Sequence, residues 1–489
     1  MGLIGGDGGK KAHLLFIPMS HHGHLIPGFR LVTELAQKGV TITCAVYEDL
    51  LANFSSSGVL SELQSLNVQF IALHNPWGPT DDIPVIDSRN LQESFKPVLE
   101  KLLHDKSSGD AGPTCLLTDM FLIWAQELSE KLEIPYYMFI PSGAILGRLM
   151  QENIRLMAQN VFKIAPDGTL VKYEGAVDMD GIPSLRHDEL IFSARQHPAY
   201  FLIRCKVMCR AAGVVINTFF DLEDKVIESM TYPSPSMFEE NKLGKVYPVG
   251  PLFSASPKAR SIGVVKELKD SAEESISWFD AQPPASVLYV AFGTMTKLKA
   301  EYIYELAWGL EGSNQRFLWV LPQRKFSPEE KISSITDLLP EGFQARVGDR
   351  GRIVTGWAPQ VQILAHSATG GFLTHAGWNS CLESITNGVP MIAWPQWAEQ
   401  DLNCRYLVDM LKIADQIQTG PGKVLDRKEV ERAVRVLMVE PEGKEMRRRV
   451  QELKKKGEEA VAEDGSMSRT IDELARDISA SVSHHSNKA

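Results

Sequence analysis

Short apolar runs separated by helical stretches recur along this chain in two series. That rhythm restricts the fold more than any other feature. In the first half, residues 12–18, 40–46, 68–72, 114–119, 135–140 and 213–217 read as strands. Residues 24–38 read as a helix ended by Gly39, and residues 121–132 as another helical stretch. The βαβ order predicts a parallel sheet between helices. Pro248-Val249-Gly250-Pro251 breaks the pattern, and the chain stays polar to about residue 274. A second series follows, with strands at 286–291, 316–321, 352–355, 371–374 and 389–394 and a helix at 300–310. At 489 residues the chain is too long for one core. The expectation is an α/β protein of two doubly wound domains, residues 1–250 and 276–465. A linker over 251–275 joins them, and a C-terminal segment over 466–489 follows. Ligands of such domains sit at the carboxyl ends of the strands.

Composition removes several function classes. Asp plus Glu is 61 against 51 for Lys plus Arg, a net charge of −10, which argues against a nucleic-acid surface. The basic run from Lys444 to Lys456 is interleaved with Glu445, Val450, Glu452 and Leu453 and reads as a solvated helix face. The six cysteines are scattered with no CxxC pair, which fits a reduced, cytoplasmic compartment. Residues 1–11 are Gly-rich without an apolar signal core, and no apolar run reaches membrane-spanning length. Gly8-Gly9-Lys10 precedes the first strand and lacks the Ser or Thr of a P-loop.

The chemistry concentrates between Trp357 and Gln400. The strand 371–374 enters the turn His375-Ala376-Gly377, and Asn379 or Ser380 opens a helix that Gly388 stops. Backbone N–H groups and the helix dipole at such a start bind phosphate. His375, Asn379 and Ser380 add side-chain donors there. Glu383, about a turn further on, can accept from the two vicinal hydroxyls of a ribose, and Trp357 offers a face for a base. Together the parts suit a nucleotide sugar. Each also has a plainer reading. Ser380 and Glu383 match a capping box, Trp357 and Trp378 match core aromatics, and His375 a turn histidine.

The segment from Trp357-Ala358-Pro359-Gln360 to Trp397-Ala398-Glu399-Gln400 resembles, without gap, the signature box of plant secondary-product glycosyltransferases. The rest of the chain is similar in order and spacing. The resemblance implies a GT-B fold, two Rossmann-like doubly wound domains facing across a cleft. It implies a family 1 UDP-glycosyltransferase that inverts the sugar and needs no metal or other cofactor. Trp357 would stack on uracil, with Gln360 and Glu383 on the uridine. The diphosphate would meet His375, Asn379, Ser380 and the helix start, and Ala358, Gly377 and Trp378 complete that set. Glu399 and Gln400 would hold the sugar, and a terminal Gln goes with glucose in this family. Gly293-Thr294 resembles the family's loop beside the diphosphate, and Ser142 a hydroxyl on the donor sugar. The last helix, about 468–481, would cross back onto the first domain.

Transfer to a hydroxyl needs a base, and histidine suits proton removal near neutrality. His21, His22 and His24 follow the first strand, with Pro27 placed in the first helical turn. A surface loop and a metal site are the other readings of these histidines. The family pattern places the base at His24. His21 and His22 depart from the small residues usual there. Asp119, at the end of an apolar strand, is either an N-cap for the helix after it or the partner that orients His24. The resemblance carries the partner role onto it. Phe121, Trp124 and Met150 are candidate walls for a lipophilic, phenolic acceptor, or core. The expected molecule is a monomer that takes UDP-glucose as co-substrate. The alternatives are a nucleotide-sugar epimerase on the same fold and a catalytically silent nucleotide-sugar-binding protein.

Overall fold

The computed structural model describes residues 12–55, 59–75, 84–108, 112–232, 243–252, 266–293, 296, 298–321, 335–356, 358–419 and 424–486. In chain order its strands are β1 (His13–Ile17), β2 (Thr41–Tyr47), β3 (Gln69–Leu73), β4 (Cys115–Asp119), β5 (Tyr136–Ile140), β6 (Ala176–Met179), β7 (Ile182–Arg186) and β8 (Gly213–Ile216). β9 (Lys245–Pro248), β10 (Val287–Ala291), β11 (Arg316–Val320), β12 (Gly351–Val354), β13 (Thr369–Thr374), β14 (Met391–Ala393) and β15 (Ala414–Gln416) follow. The chain divides into two units. Met1–Val171, His197–Gly263 and Glu459–Ala489 form the first, and Lys172–Gln196 with Val264–Glu458 the second.

The first unit is built on a sheet ordered β3-β2-β1-β4-β5-β8-β9, the second on β12-β11-β10-β13-β14-β15. Every neighbouring pair in both sheets is parallel. β4, β5, β10 and β13 are buried at every residue, as strands covered by helices on both faces must be. β3 and β12, at sheet edges, are partly exposed. Each sheet has one point where the strand order reverses. It lies between β1 and β4 in the first unit and between β10 and β13 in the second. Loops leaving neighbouring strands there diverge and open a crevice at their carboxyl ends.

Several elements depart from the sequence expectation. The first helix is His22–Gln37, so Pro27 lies in its second turn and cannot donate to the carbonyl of Gly23. The helix expected from Phe121 starts instead at Ala125. The polar stretch after Pro251 becomes helical at Lys266, burying Ser275 and Phe279 one turn apart; residues 253–265 lie outside those described. β9 was not foreseen, because it is short and ends in a proline that only a sheet edge tolerates. The β6–β7 hairpin was also missed, although Asp180-Gly181 between its strands is a two-residue turn signal.

The last helix, Ser466–Ser486, belongs to the first unit. Met467, Ile471, Leu474, Ala475 and Ile478 enter the same apolar core as Leu14, Phe16 and Phe139. Asp477 accepts from the Tyr247 hydroxyl at 2.6 Å and from Lys245 at 2.7 Å. No helix among the described residues is long and apolar enough to cross a membrane.

Candidate active site

In the first unit the reversal point places two predicted residues together. β1 and β4 run in register, Ile17 beside Thr118, so the loop after β1 and the last residue of β4 share one edge. His21 is extended and starts the helix, which puts His24 in its first turn. Asp119 is fully buried, His24 is 21% exposed, and Nδ1 of His24 lies 2.6 Å from Oδ2 of Asp119. The other carboxylate oxygen accepts the Phe121 N–H at 3.0 Å. Asp119 is therefore no helix cap, because the following helix begins at Ala125 with Trp124 at its N-cap. With Nδ1–H donated to Asp119, the neutral tautomer carries its lone pair on Nε2. A buried carboxylate without such donors would be costly. His21 lies at the edge of this pair, its ring 6.5 Å from that of His24, and the His22 side chain is exposed.

Ser142 follows β5, the strand next to β4, and is buried near the same edge. Of the three candidate acceptor walls, Phe121 is half-buried with its ring 5.6 Å from that of His24. Met150 is fully buried in the helix Ala144–Ala158, and the Trp124 indole N–H is spent on the carbonyl of Ser88 at 3.1 Å.

In the second unit the reversal point joins the loops after β10 and β13. Gly293 follows β10 with φ of +66°, and His375 follows β13. A Cβ on Gly293 would lie 2.6 Å from Nε2 of His375, and one on Gly377 2.5 Å from the same atom. The imidazole thus occupies room that exists because both positions are glycine. Its Nδ1 lies 3.3 Å from the buried Thr374 hydroxyl. Ala376, at φ +62°, is held by Asn403, whose side-chain N–H donates to its carbonyl at 3.0 Å. The helix Trp378–Asn387 follows, and Gly388 ends it at φ +72°. Its first ladder bond runs from Cys381 N–H to Gly377 C=O, so the N–H groups of 378, 379 and 380 precede the ladder. The Trp378 ring is buried, while Asn379 is half-buried.

Glu383 does not close a capping box. Gln360 donates to its carboxylate at 2.6 Å and to the Ser380 hydroxyl at 3.0 Å. Tyr289, stacked on Phe372, donates to the side-chain Oε1 of Gln360 at 3.4 Å. Burial pushes the Glu383 carboxyl up to about 7, against the opposing pull of the Gln360 amide. Gln400 is buried, and its carbonyl accepts the N–H groups of Gln396 at 2.9 Å and Trp397 at 3.1 Å. Glu399 is half-buried just before it, and Ala358 is buried just before Gln360. Trp357 and Thr294 lie outside the described residues.

Asn403 and Tyr289 escaped the sequence reading. An Asn inside a helix and a Tyr inside a strand carry no local mark of a loop they support elsewhere. Asp178-Met179-Asp180 is an Asp-x-Asp triplet, and both carboxylates are exposed at the end of the β6–β7 hairpin. Among the described residues no group of three or more His, Cys, Asp or Glu is placed to hold a metal ion.

The chain is similar to known proteins over nearly its whole length. The family model for UDP-glucoronosyl and UDP-glucosyl transferases matches residues 201–456. UDP-glycosyltransferase 72B2 of Arabidopsis thaliana is 34% identical, covering 96% of this chain and 98% of its own length. Anthocyanidin 3-O-glucosyltransferase 5 of Manihot esculenta is 32% identical, with 94% of each chain covered. The structure of Phytolacca americana UGT2 with UDP-2-fluoro-glucose and pterostilbene superposes with a TM-score of 0.77 at 28% identity, covering 96% of this chain and 99% of that one. The similarity runs through both sheets and both reversal points, and on that ground the protein belongs to the plant UDP-glycosyltransferases, with their GT-B fold of two Rossmann-like domains.

Proposed function

We propose that this enzyme transfers glucose from UDP-glucose, with inversion, to a hydroxyl of a small lipophilic acceptor such as a flavonoid or another phenolic. The observation that carries the reading is the 2.6 Å contact between His24 and the fully buried Asp119 at a strand-order reversal. Nε2 of His24 takes the acceptor proton. The freed oxygen attacks the anomeric carbon from the face opposite the leaving group, and the bond to the β-phosphate oxygen breaks. Asp119 stabilises the imidazolium that forms. The start of the helix Trp378–Asn387, with His375, Asn379 and Ser380, meets the charge developing on UDP. That arrangement supports a metal-independent reaction.

Gln360, Ser380 and Glu383 already form one hydrogen-bonded group, which suits a uridine. Glu399 and the Gln400 NH₂ then face the sugar as acceptor and donor. A relative bound to UDP-2-fluoro-glucose and pterostilbene, and another named for anthocyanidin, support the donor and the acceptor class. In this reading the first unit binds the acceptor and the second binds UDP. None of the six cysteines forms a disulfide, in keeping with a reducing, cytoplasmic compartment, and the proposed form is a monomer. The transferase family offers no support for an epimerase.

UDP release measured across UDP-glucose, UDP-galactose, UDP-xylose and UDP-glucuronate, with and without a phenolic panel and EDTA, tests the reading. The expected result is acceptor-dependent release, fastest with UDP-glucose and unchanged by EDTA. Preference for another donor, or a requirement for Mg²⁺, overturns the corresponding part. Tight UDP binding without turnover on any acceptor favours the silent binding protein.

A further inference from the structure

Phe121 is held at its N–H, its carbonyl and its ring. The N–H donates to Oδ1 of Asp119 at 3.0 Å. The carbonyl accepts the Ser88 hydroxyl at 2.9 Å and the Tyr200 hydroxyl at 3.0 Å, along with the Ile123 N–H at 3.1 Å. The ring lies 5.6 Å from His24, while the guanidinium of the buried Arg204 sits 4.5 Å from the ring centroid. Ser88 is itself buried, on the helix Pro84–Ser108, and its own carbonyl is tied by Trp124. Tyr200 and Arg204 are one turn apart on the helix Pro198–Arg210. Burial raises the Tyr200 phenol above its ordinary range, so it stays a donor.

We propose that Phe121, anchored by Ser88 and Tyr200, is a positioning residue for the His24–Asp119 pair. Phe121 touches both members, Asp119 through its backbone and His24 through its ring. It sits in residues 120–124, which form turns rather than helix, so nothing in regular secondary structure fixes it. The two hydroxyls arrive from helices far away in sequence and supply that constraint. The pair must stay within a few tenths of an ångström of its working geometry for proton transfer, and slack in the turn would spread it. Ser88 and Tyr200 act through Phe121 and are not themselves catalytic. The inference rests on His24 being the base.

The test uses acceptors of different acidity. A nitrophenol is acidic enough to need little help from a base, whereas an unactivated methoxyphenol depends on it. Ser88→Ala/Tyr200→Phe should lose at least about tenfold in kcat on the methoxyphenol and no more than about threefold on the nitrophenol. UDP affinity should not change. Tyr200→Phe alone removes a single oxygen and should show the same selectivity, smaller, if the double variant folds poorly. Equal losses on both acceptors, or none on either, overturn the proposal. His24→Ala on the same acceptors separates the two claims. A selective loss in His24→Ala beside a uniform one in the double variant sinks the positioning role alone. A uniform loss in His24→Ala sinks the base assignment and the proposal with it.

Discussion

The His24–Asp119 hydrogen bond joins residues 95 positions apart, and the chemistry proposed for this enzyme depends on it. Replacing His24 by Ala should cost about 10²–10⁴ in kcat, the usual worth of a positioned base, with UDP affinity near wild type. Asp119→Asn should cost less, because an acceptor oxygen for Nδ1–H survives while the charge is lost. Steady-state kinetics on a phenol, with calorimetric UDP titration, checks both. An active His24→Ala beside an inactive His21→Ala or His22→Ala would move the base. Glu383 makes a pH prediction. Burial raises its carboxyl to about 7, so it is ionised above that and protonated below. The ionised form accepts from two ribose hydroxyls, whereas the protonated form turns one oxygen into a donor. KM for the donor should therefore rise as pH falls through about 7, and Glu383→Gln should flatten that dependence. A wild-type KM that is level from pH 6 to about 8 would show that this carboxyl does not titrate there, and an unchanged donor KM in Glu383→Gln would rule out the assigned contact.

At the scale of elements, the turn between β13 and the helix Trp378–Asn387 combines close packing with an unusual backbone. Ala376 holds a left-handed conformation that costs a non-glycine residue about 1–2 kcal/mol, and Asn403 secures its carbonyl. Asn403→Ala leaves that buried carbonyl short of a donor, a loss of about 1–3 kcal/mol. Donor KM should rise with it. Gly293→Ala is expected to be worse, since the new methyl meets His375 at a position that also requires φ of +66°. UDP titration and thermal melting of both variants test this. Wild-type UDP affinity in Gly293→Ala would mean that His375 can move without consequence.

For the whole molecule, the C-terminal helix is part of the first unit's core rather than an appendage. Leu474 is fully buried there, and Leu474→Ala should destabilise by about 2–5 kcal/mol. Lys245→Ala removes only exposed ion pairs to Glu473 and Asp477 and should cost under about 1 kcal/mol. Urea unfolding followed by tryptophan fluorescence compares them. A Leu474→Ala protein as stable as Lys245→Ala would show that the helix contributes little burial.

What the sequence determined by itself is local and periodic. The alternation of apolar runs and helical stretches specified parallel sheets. The spacing from Gly371 to Gly388 specified a strand, a turn and a helix ended by glycine, in order. Those features follow from the 2.0 and 3.6 residue periods and from glycine's access to positive φ, which neighbouring residues encode. Tertiary structure decided the rest. Asp119 could have capped a helix, and only the pairing of β1 with β4 brings it to His24. Glu383 could have closed a capping box, and only the arrival of Gln360 turns it elsewhere. Gln400 could have turned either end of its amide to a sugar, and only the fold of the loop brings the Gln396 and Trp397 N–H groups to its side-chain carbonyl. Ser88 and Tyr200 carry no local mark of a shared partner, and only the packing of their two helices brings both hydroxyls to the Phe121 carbonyl. In each case a polar atom has several partners open to it in sequence, and the partner is selected by packing between segments that local spacing does not encode.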